Sequence, residues 1–192
     1  MREEIRSWLE NKGLEFLKKI GIKSGQTVLD FGCGKGNYTL PAAKIVEKEG
    51  IVYALDKNSE TLVQLGERAK KEGLTNIKRI NTSGKIDTGL RNDSIDAVLL
   101  YDIIHLVGKD DSSTLKDRKK LYKEAHRLIK PSGMLSVYPT HLKTHTDVGS
   151  VEEIRREIID FSFEFEKEFL EILVHDDIFI EGKILNFRKK TK

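Results

Sequence analysis

A glycine-rich turn after a short apolar strand is the part of this sequence best suited to bind a ligand. Asp30 lies in the strand, and three glycines follow at alternate positions: Gly32, Gly34 and Gly36. Glycine adopts turn conformations that other residues avoid, and it lets a ligand approach the main chain. The helix that follows offers unpaired N–H groups in its first turn. The pattern predicts a nucleotide-binding turn, and the alternative is a glycine-rich turn of any α/β domain.

The carboxylate of Asp30 narrows the class of nucleotide. A pyrophosphate depends on N–H donors and on the positive end of a helix dipole, so a neighbouring carboxylate would repel it. A cationic ligand would be attracted instead. The glycines are also spaced G-x-G-x-G, whereas the common dinucleotide fingerprint is G-x-G-x-x-G. Both features argue against a nicotinamide dehydrogenase.

A second apolar segment, residues 51–56, ends in an acid, Asp56, twenty positions after Gly36. A carboxylate at the tip of the second strand is placed to accept hydrogen bonds from both hydroxyls of a ribose. The alternative is that Asp56 caps the helix beginning near Asn58, because Asp and Asn favour such positions. With the glycine turn before it, we interpret Asp56 as a ribose ligand.

Four motifs in this order are similar to those of class I S-adenosylmethionine-dependent methyltransferases, most closely of the small-molecule type. They are the segment 28–41, the strand ending at Asp56, the segment SIDAVLLY at 94–101 and the segment LIKPSG at 128–133. The resemblance covers roughly residues 20 to 140. It implies a Rossmann-like fold and S-adenosylmethionine as the cofactor. The ammonium and sulfonium of that cofactor agree with an acidic site that holds no phosphate.

The resemblance also implies which residues contact the cofactor. Asp30 and the backbone around the glycines would face the methionine part, and Asp56 the ribose. Many family members have an acid after the third strand that binds the adenine amino group, but Ser83 or Gly84 stands at that place here. A backbone carbonyl, a side-chain oxygen of Ser83 or Asn81, or water would then meet the adenine. The predicted contacts are Asp30, Gly32, Cys33, Gly34, Gly36, Asp56, Lys57, Ser83, Gly84 and Tyr101.

Candidate catalytic residues follow the fourth and fifth strands, because ligands of open parallel sheets bind outside the carboxyl ends of the strands. Asp102 and His105 follow the fourth strand, and Thr140 and His141 the fifth. A hydroxyl or protonated amine acceptor needs a base to remove its proton. Asp102, His105 and His141 are the candidates for that base; alternatively, Asp102 caps a turn and the histidines are packed or face solvent. His141 and His145 share an i, i+4 spacing, but without a third ligand we predict no metal site.

Length and composition predict a soluble, cytoplasmic protein. Charged residues make up 34% of the 192 residues, and the apolar set makes up 38%. No apolar run approaches the ~18 residues of a membrane span, and the N-terminal segment lacks a signal-peptide core. The single cysteine, Cys33, cannot form an internal disulfide; we interpret it as structural, with a reactive thiol as the alternative. A net charge of +3 is too balanced to indicate nucleic-acid binding.

Alternating strands and helices predict the fold class α/β, a Rossmann-like, mostly parallel sheet of seven strands with helices on both faces. The final two strands lack a long helix between them, which predicts an antiparallel C-terminal hairpin. We predict a single domain over 1–192, with an N-terminal helical cover (1–25), a cofactor-binding core (26–141) and a C-terminal helix and hairpin (142–192). Predicted strands are 27–31, 51–56, 77–80, 95–101, 134–138, 161–174 and 184–188. Predicted helices are 37–50, 59–71, 113–129 and 151–160, with a helical segment over 3–20 that Gly13 divides.

We therefore predict an S-adenosylmethionine-dependent methyltransferase (EC 2.1.1.-) acting on a small organic acceptor. One alternative is methylation of RNA or protein, which basic residues around the cleft would favour. Another is a cofactor-binding protein without transfer activity, which the missing adenine acid favours. Few residues precede the first strand, so we expect a shallow acceptor pocket, or one completed by residues 108–114, the N-terminal helix or a second subunit. That last option leaves a homodimer open, and no membrane partner is expected.

Overall fold

The computed structural model describes residues 3–105, 114–140, 149–175 and 177–191. Its seven strands are β1 (Thr27–Phe31), β2 (Ile51–Asp56), β3 (Ile77–Asn81), β4 (Ile95–Tyr101), β5 (Ile129–Tyr138), β6 (Phe163–His175) and β7 (Ile178–Lys189). They form one sheet in the order β3-β2-β1-β4-β5-β7-β6. β1, β2 and β3 pair in parallel, as do β4 and β5, whereas β7 is antiparallel to β5. The predicted mostly parallel α/β sheet with an antiparallel C-terminal hairpin is confirmed.

Helices alternate with the strands, and local sequence signals set several of their ends. They are α1 (Glu3–Ser7), a π turn (Trp8–Lys12), α2 (Gly13–Ile20), α3 (Thr39–Val46), α4 (Ser59–Lys71), α5 (Thr114–Leu128) and α6 (Val151–Ile159). Asn58 caps α4 by accepting hydrogen bonds from two N–H groups of its first turn. Ser150 and Glu153 form a capping box at the start of α6. Among the described helices, none is long and apolar enough to cross a bilayer.

The chain divides into two compact units. The first comprises Met1–Thr88 and Val174–Ile180, and the second Gly89–Leu173 and Glu181–Lys192. In the first unit, β1 and β2 bury a run of aliphatic side chains that includes Val28, Leu29 and Leu55. In the second, the apolar residues of β4 are buried throughout, as a strand covered on both faces requires. The single domain over 1–192 stays a prediction.

The N-terminal segment is helical from Glu3 to Ile20, and Gly13 does not divide it as predicted. Gly13 has helical backbone angles, φ −66° and ψ −34°. A Cβ at this position would lie 2.8 Å from the carbonyl oxygen of Trp8 and 3.0 Å from its indole ring. Gly13 is therefore explained by close packing against Trp8 and not by a break in the helix.

The boundaries of the last strands also differ from the prediction. β5 begins at Ile129, five residues early, because its pairing with β4 shifts register and residues 130–133 form a bulge. β7 begins at Ile178, six residues early, and contains Gly182. Glycine is disfavoured inside strands unless another group approaches closely. A Cβ at Gly182 would lie 2.2 Å from the ring of Tyr138, and this close approach explains the glycine.

Candidate functional site

The glycine turn holds a backbone conformation that favours glycine at three positions. Gly32, Gly34 and Gly36 have φ of 80°, 50° and 86°. The N–H groups of Gly32 and Cys33 both donate to the carbonyl oxygen of Leu55 at 2.8 Å. The turn is therefore attached to the end of β2, directly beside the predicted ribose ligand.

The space around the glycines distinguishes their roles. A Cβ at Gly34 would meet no atom within 4 Å, so the main chain there is open to a ligand. A Cβ at Gly36 would lie 2.3 Å from Cδ1 of Leu65 in α4. Gly36 thus permits close packing against the helix, whereas Gly34 leaves room beside the turn.

We expect Gly36→Ala to lower the free energy of unfolding by roughly 2–4 kcal/mol, since it combines backbone strain with overpacking against Leu65. Gly25→Ala is the matched control, because Gly25 also has positive φ, 78°, but has open space around it. Urea unfolding of both variants measures the difference. Equal losses in the two variants would contradict the packing role of Gly36.

Asp56 lies at the end of β2 and organises the glycine turn. Its Oδ2 accepts a hydrogen bond from the N–H of Gly34, and its Oδ1 from the N–H of Asn58, both at 2.8 Å. Because Asn58 is the residue that caps α4, Asp56 is not the helix cap of the alternative interpretation. A carboxylate has about four acceptor positions, so Asp56 retains capacity for the hydroxyls of a ribose.

Asp30 is buried, with 2% of its surface exposed. Its Oδ2 accepts a hydrogen bond from Oγ1 of Thr39, the first residue of α3, at 2.5 Å. Burial raises the pKa of Asp30 to about 6; the Thr39 hydrogen bond opposes this rise and the Asp56 carboxylate adds to it. Two carboxylates, one of them poorly solvated, therefore act on the glycine turn, and a cationic ligand would stabilise both.

The raised pKa of Asp30 predicts a pH-dependent gain of stability in Asp30→Asn. Below about pH 3.8 the wild-type carboxyl is protonated in both the folded and the unfolded state, so its burial does not lower the free energy of unfolding. Between pH 3.8 and about 6 only the folded state keeps the proton, so the free energy of unfolding falls as the pH rises. Above about pH 6 the loss is complete. We expect Asp30→Asn, which can still accept from Thr39, to raise the free energy of unfolding by about 1–3 kcal/mol at pH 7.5 and by less at pH 4.5. Urea unfolding at the two pH values measures this, and a uniform loss would contradict it.

Cys33 is buried within the same turn, and its Sγ lies 3.7 Å from the carbonyl oxygen of Gly34. Burial raises the pKa of the Cys33 thiol, and the carboxylates of Asp30 and Asp56 raise it further. Since the thiolate is the reactive form, the thiol is a poor nucleophile at neutral pH. This supports the structural interpretation of Cys33.

The turn after β3 lies beside the end of β2. The N–H of Thr82 donates to the carbonyl oxygen of Asp56 at 3.1 Å, and Nδ2 of Asn81 donates to that of Lys57 at 3.4 Å. Asn81 Oδ1 in turn accepts from the N–H of Ser83 at 2.8 Å and from its hydroxyl at 3.3 Å. The structure thus joins Asn81 and Thr82 to Lys57 and Asp56 at the end of β2, and Ser83 is hydrogen-bonded to Asn81. The adenine roles of Ser83 and Gly84 stay a prediction.

A polar cluster occupies the other unit, where β4 and β5 end. His105 and Thr140 are both buried, with 6% exposed. Thr140 Oγ1 donates to Oδ1 of Asp102 and lies 3.4 Å from Nδ1 of His105, which is itself 3.5 Å from Asp102 Oδ1. With a proton on Nδ1, His105 can donate to the oxygen of Thr140, whose own hydroxyl proton goes to Asp102. That tautomer would place the lone pair of His105 on Nε2, as a general base requires.

Backbone strain marks the same cluster. Asp102 has φ of 56°, a left-handed conformation that non-glycine residues rarely adopt and that concentrates at functional sites. Tyr101, a predicted cofactor contact, has its hydroxyl 2.8 Å from Oγ of Ser136 and is almost fully buried. His141, the third candidate base, lies outside the described residues, as do His145 and most of the predicted loop at 108–114.

Tyr138 is a polar residue near this cluster that sequence analysis missed. Within the described part of the chain, its hydroxyl is buried and has no hydrogen-bond partner. Burial raises the pKa of Tyr138 to about 12, and the carboxylate of Asp102 contributes. Its signal in the sequence is weak, because an aromatic residue at the end of a buried strand is ordinary core composition.

The glycine turn and its carboxylates fit a positively charged nucleoside better than a phosphate ester. The turn is open at Gly34, Asp30 and Asp56 supply negative charge, and Asp56 has spare acceptor capacity for a ribose. A diphosphate at this place would face two carboxylates in a poorly solvated site, which is strongly unfavourable. The two carboxylates and the open turn therefore agree with the cofactor that the resemblance implies.

Comparison with known sequences agrees with this chemistry. A family model described as "Methyltransferase domain" matches residues 22–164. A demethylmenaquinone methyltransferase of Geobacillus stearothermophilus is 30% identical over 121 residues, which are 62% of this chain and 47% of that protein. A sterol 24-C-methyltransferase of Gibberella zeae is 33% identical over 122 residues, 62% of this chain and 29% of that protein. The matched segment thus spans about half of the first relative and less of the second.

Solved structures show the same fold. An S-adenosylmethionine-dependent methyltransferase from Aquifex aeolicus superposes with a TM-score of 0.73 at 22% identity, covering 96% of this chain and 92% of that one. One from Methanosarcina mazei gives a TM-score of 0.69 at 19% identity, covering 92% and 98%. The range of the family model includes the glycine turn, Asp56 and the cluster after β4. The chain therefore belongs to the methyltransferase-domain family of class I enzymes, whose methyl donor is S-adenosylmethionine.

Proposed function

We propose that this protein transfers a methyl group from S-adenosylmethionine to a small organic acceptor. The observation that supports the proposal most is the open glycine turn with Asp30 and Asp56 beside it. When bound, the cofactor supplies a methyl group on a sulfonium sulfur, which is already activated for displacement. The residues of the chain need to hold that group, align the acceptor and exclude water.

Residues of the first unit hold the cofactor in this proposal. Asp56 accepts from the ribose hydroxyls, because its carboxylate has acceptor positions beyond those taken by Gly34 and Asn58. Asp30 stabilises the positive charge of the methionine part through the electrostatic field of a buried carboxylate. Backbone groups of Ser83 and Gly84 meet the adenine, since the acid common at that place in the family is absent here.

Residues of the second unit prepare the acceptor. His105 accepts the acceptor's proton at Nε2, and Thr140 with Asp102 holds the imidazole in the required tautomer. This arrangement follows the general logic of an oriented base, in which a carboxylate fixes the ring through its other nitrogen. It favours an acceptor whose reacting atom carries a removable proton.

Charge distribution favours a small acceptor over a nucleic acid. Several basic side chains of the second unit form ion pairs with acidic neighbours, which lowers the local positive charge that a nucleic acid would require. The pairs are Arg118–Glu157, Arg127–Glu124, Lys130–Asp96, Lys183–Glu168, Arg188–Glu166 and Lys189–Asp93. The names of the two curated relatives, a demethylmenaquinone and a sterol methyltransferase, also point to small organic acceptors.

Calorimetry with S-adenosylhomocysteine and NAD, measured side by side, tests the cofactor part of the proposal. We expect saturable binding of S-adenosylhomocysteine and none of NAD; the reverse result would overturn it. A screen of phenols, quinols, amines and sterols with radiolabelled S-adenosylmethionine then tests the acceptor part. Transfer only to RNA or protein in a parallel assay would replace the small acceptor by a macromolecule.

A further inference from the structure

We infer that Trp8 is a positioning residue for the cofactor turn, acting through the carbonyl group of Asn37. The inference rests on the proposed function, because it assigns a role in binding S-adenosylmethionine. Trp8 is 1% exposed, and its indole Nε1–H donates to the carbonyl oxygen of Asn37 at 2.8 Å. Asn37 directly follows the last glycine of the turn. A residue of the N-terminal helical segment thus holds the exit of the glycine turn.

The two ends of the glycine turn are held by different parts of the first unit. Its beginning is held by β2, because Leu55 and Asp56 accept hydrogen bonds from the N–H groups of the turn. Its end is held by side chains that donate to carbonyl oxygens: Arg68 Nη1 to that of Lys35 at 2.6 Å, and Trp8 to that of Asn37. Since a peptide unit is planar, fixing the oxygen of Asn37 also fixes the direction of the next N–H group. That N–H group belongs to Tyr38, the residue directly before α3, so the indole also sets the direction of the main chain where the turn enters the helix.

The π turn Trp8–Lys12 fixes the position of the indole beside Asn37. π turns are rare and occur often at functional sites. Gly13 leaves space for Trp8, because a Cβ there would lie 3.0 Å from the indole nitrogen. Lys44 Nζ donates at 2.8 Å to the carbonyl oxygen of Leu9, a group within the π turn. Trp8 is therefore oriented by a helix irregularity that has its own dedicated contacts.

Aromatic contacts surround the indole and extend to the segment Val174–Ile180 of the same unit. Tyr38 meets Trp8 edge to face, with ring centroids 5.5 Å apart, and Phe16 lies at 6.0 Å. The hydroxyl of Tyr38 donates to the carbonyl oxygen of Val174 at 2.8 Å. The ring contacts contribute packing energy, whereas the indole N–H makes the hydrogen bond that reaches the turn. These two contributions can be separated by mutation.

The test compares Trp8→Phe, which keeps an aromatic ring but lacks the N–H, with Phe16→Leu, which removes a ring contact of Trp8 and leaves the hydrogen bond. We expect the Kd for S-adenosylhomocysteine by calorimetry to rise about tenfold in Trp8→Phe, the effect of one buried hydrogen bond, and less than twofold in Phe16→Leu. In assays with an acceptor identified by the screen, KM of Trp8→Phe for S-adenosylmethionine should rise while its kcat changes less than threefold. Replacing Trp8 by 3-benzothienylalanine, whose sulfur replaces the N–H in a ring of the same size, should reproduce the weaker binding without the packing defect.

Fluorescence gives a second readout, because Trp8 is the single tryptophan of the chain. We expect its emission to shift when S-adenosylhomocysteine saturates the wild-type protein. Wild-type affinity in Trp8→Phe and in the benzothienyl variant would overturn the positioning role and leave the proposed function intact. If the wild-type protein itself does not bind S-adenosylhomocysteine, the proposed function is the part that fails.

Discussion

Replacing His105 by Gln is expected to lower kcat for methyl transfer by about 10²–10⁴-fold, the usual contribution of a general base. In the structure Nδ1 of His105 faces Thr140 and Asp102, so the tautomer with its proton on Nδ1 would accept the acceptor's proton at Nε2. Glutamine keeps the size and polarity of the side chain but has no basic nitrogen. Initial rates with an acceptor found in the screen measure the change.

A binding measurement separates this loss from a folding defect. His105→Gln should bind S-adenosylhomocysteine with the wild-type Kd, since it is placed with the acceptor and not with the cofactor. His126→Gln is the matched control, because His126 packs edge to face on Phe163 and lies in α5; its kcat should stay within about twofold of the wild type. A His105→Gln enzyme with wild-type kcat would mean that the acceptor needs no base from this cluster.

Replacing Asp56 by Ala is expected to raise the Kd for S-adenosylhomocysteine about 100-fold, or roughly 3 kcal/mol. The substitution removes the acceptor for both ribose hydroxyls, and it also leaves the N–H groups of Gly34 and Asn58 without their partner. Calorimetry measures the Kd. Urea unfolding of the same variant reports how much of the loss comes from the turn itself.

Asp56→Asn separates the loss of the negative charge from the loss of the hydrogen-bond acceptor. The amide oxygen can still accept from one of the two backbone groups, but the charge is lost, so we expect an intermediate Kd. Asp117→Ala, which removes an acid that pairs with Lys120 on α5, is the control and should bind like the wild type. Unchanged affinity in Asp56→Ala would remove Asp56 from the ribose site.

Elements with local signals were predicted from the sequence almost to the residue. The ends of α4 at Ser59 and Lys71 follow from Asn58, which caps its start, and from Gly73, which takes a positive φ just after its end. β1, β2 and β4 were predicted with their observed bounds, because short apolar runs between turn residues carry the signal within themselves. Boundaries that depend on a partner strand, such as the starts of β5 and β7, were wrong by five and six residues.

The sequence by itself determined the α/β class, the position of the glycine turn and the two acids, Asp30 and Asp56, that give the turn its negative charge. Only the tertiary structure decided which contacts these residues make. At the glycine turn, Gly36 packs on Leu65 while Gly34 stays open, and Trp8 donates to Asn37. After β4 and β5, Thr140 links His105 to Asp102. Turn conformation and strand formation depend on neighbouring residues, so their signals are local. Contacts between residues far apart in the chain depend on how helices and strands pack, and no local pattern encodes that.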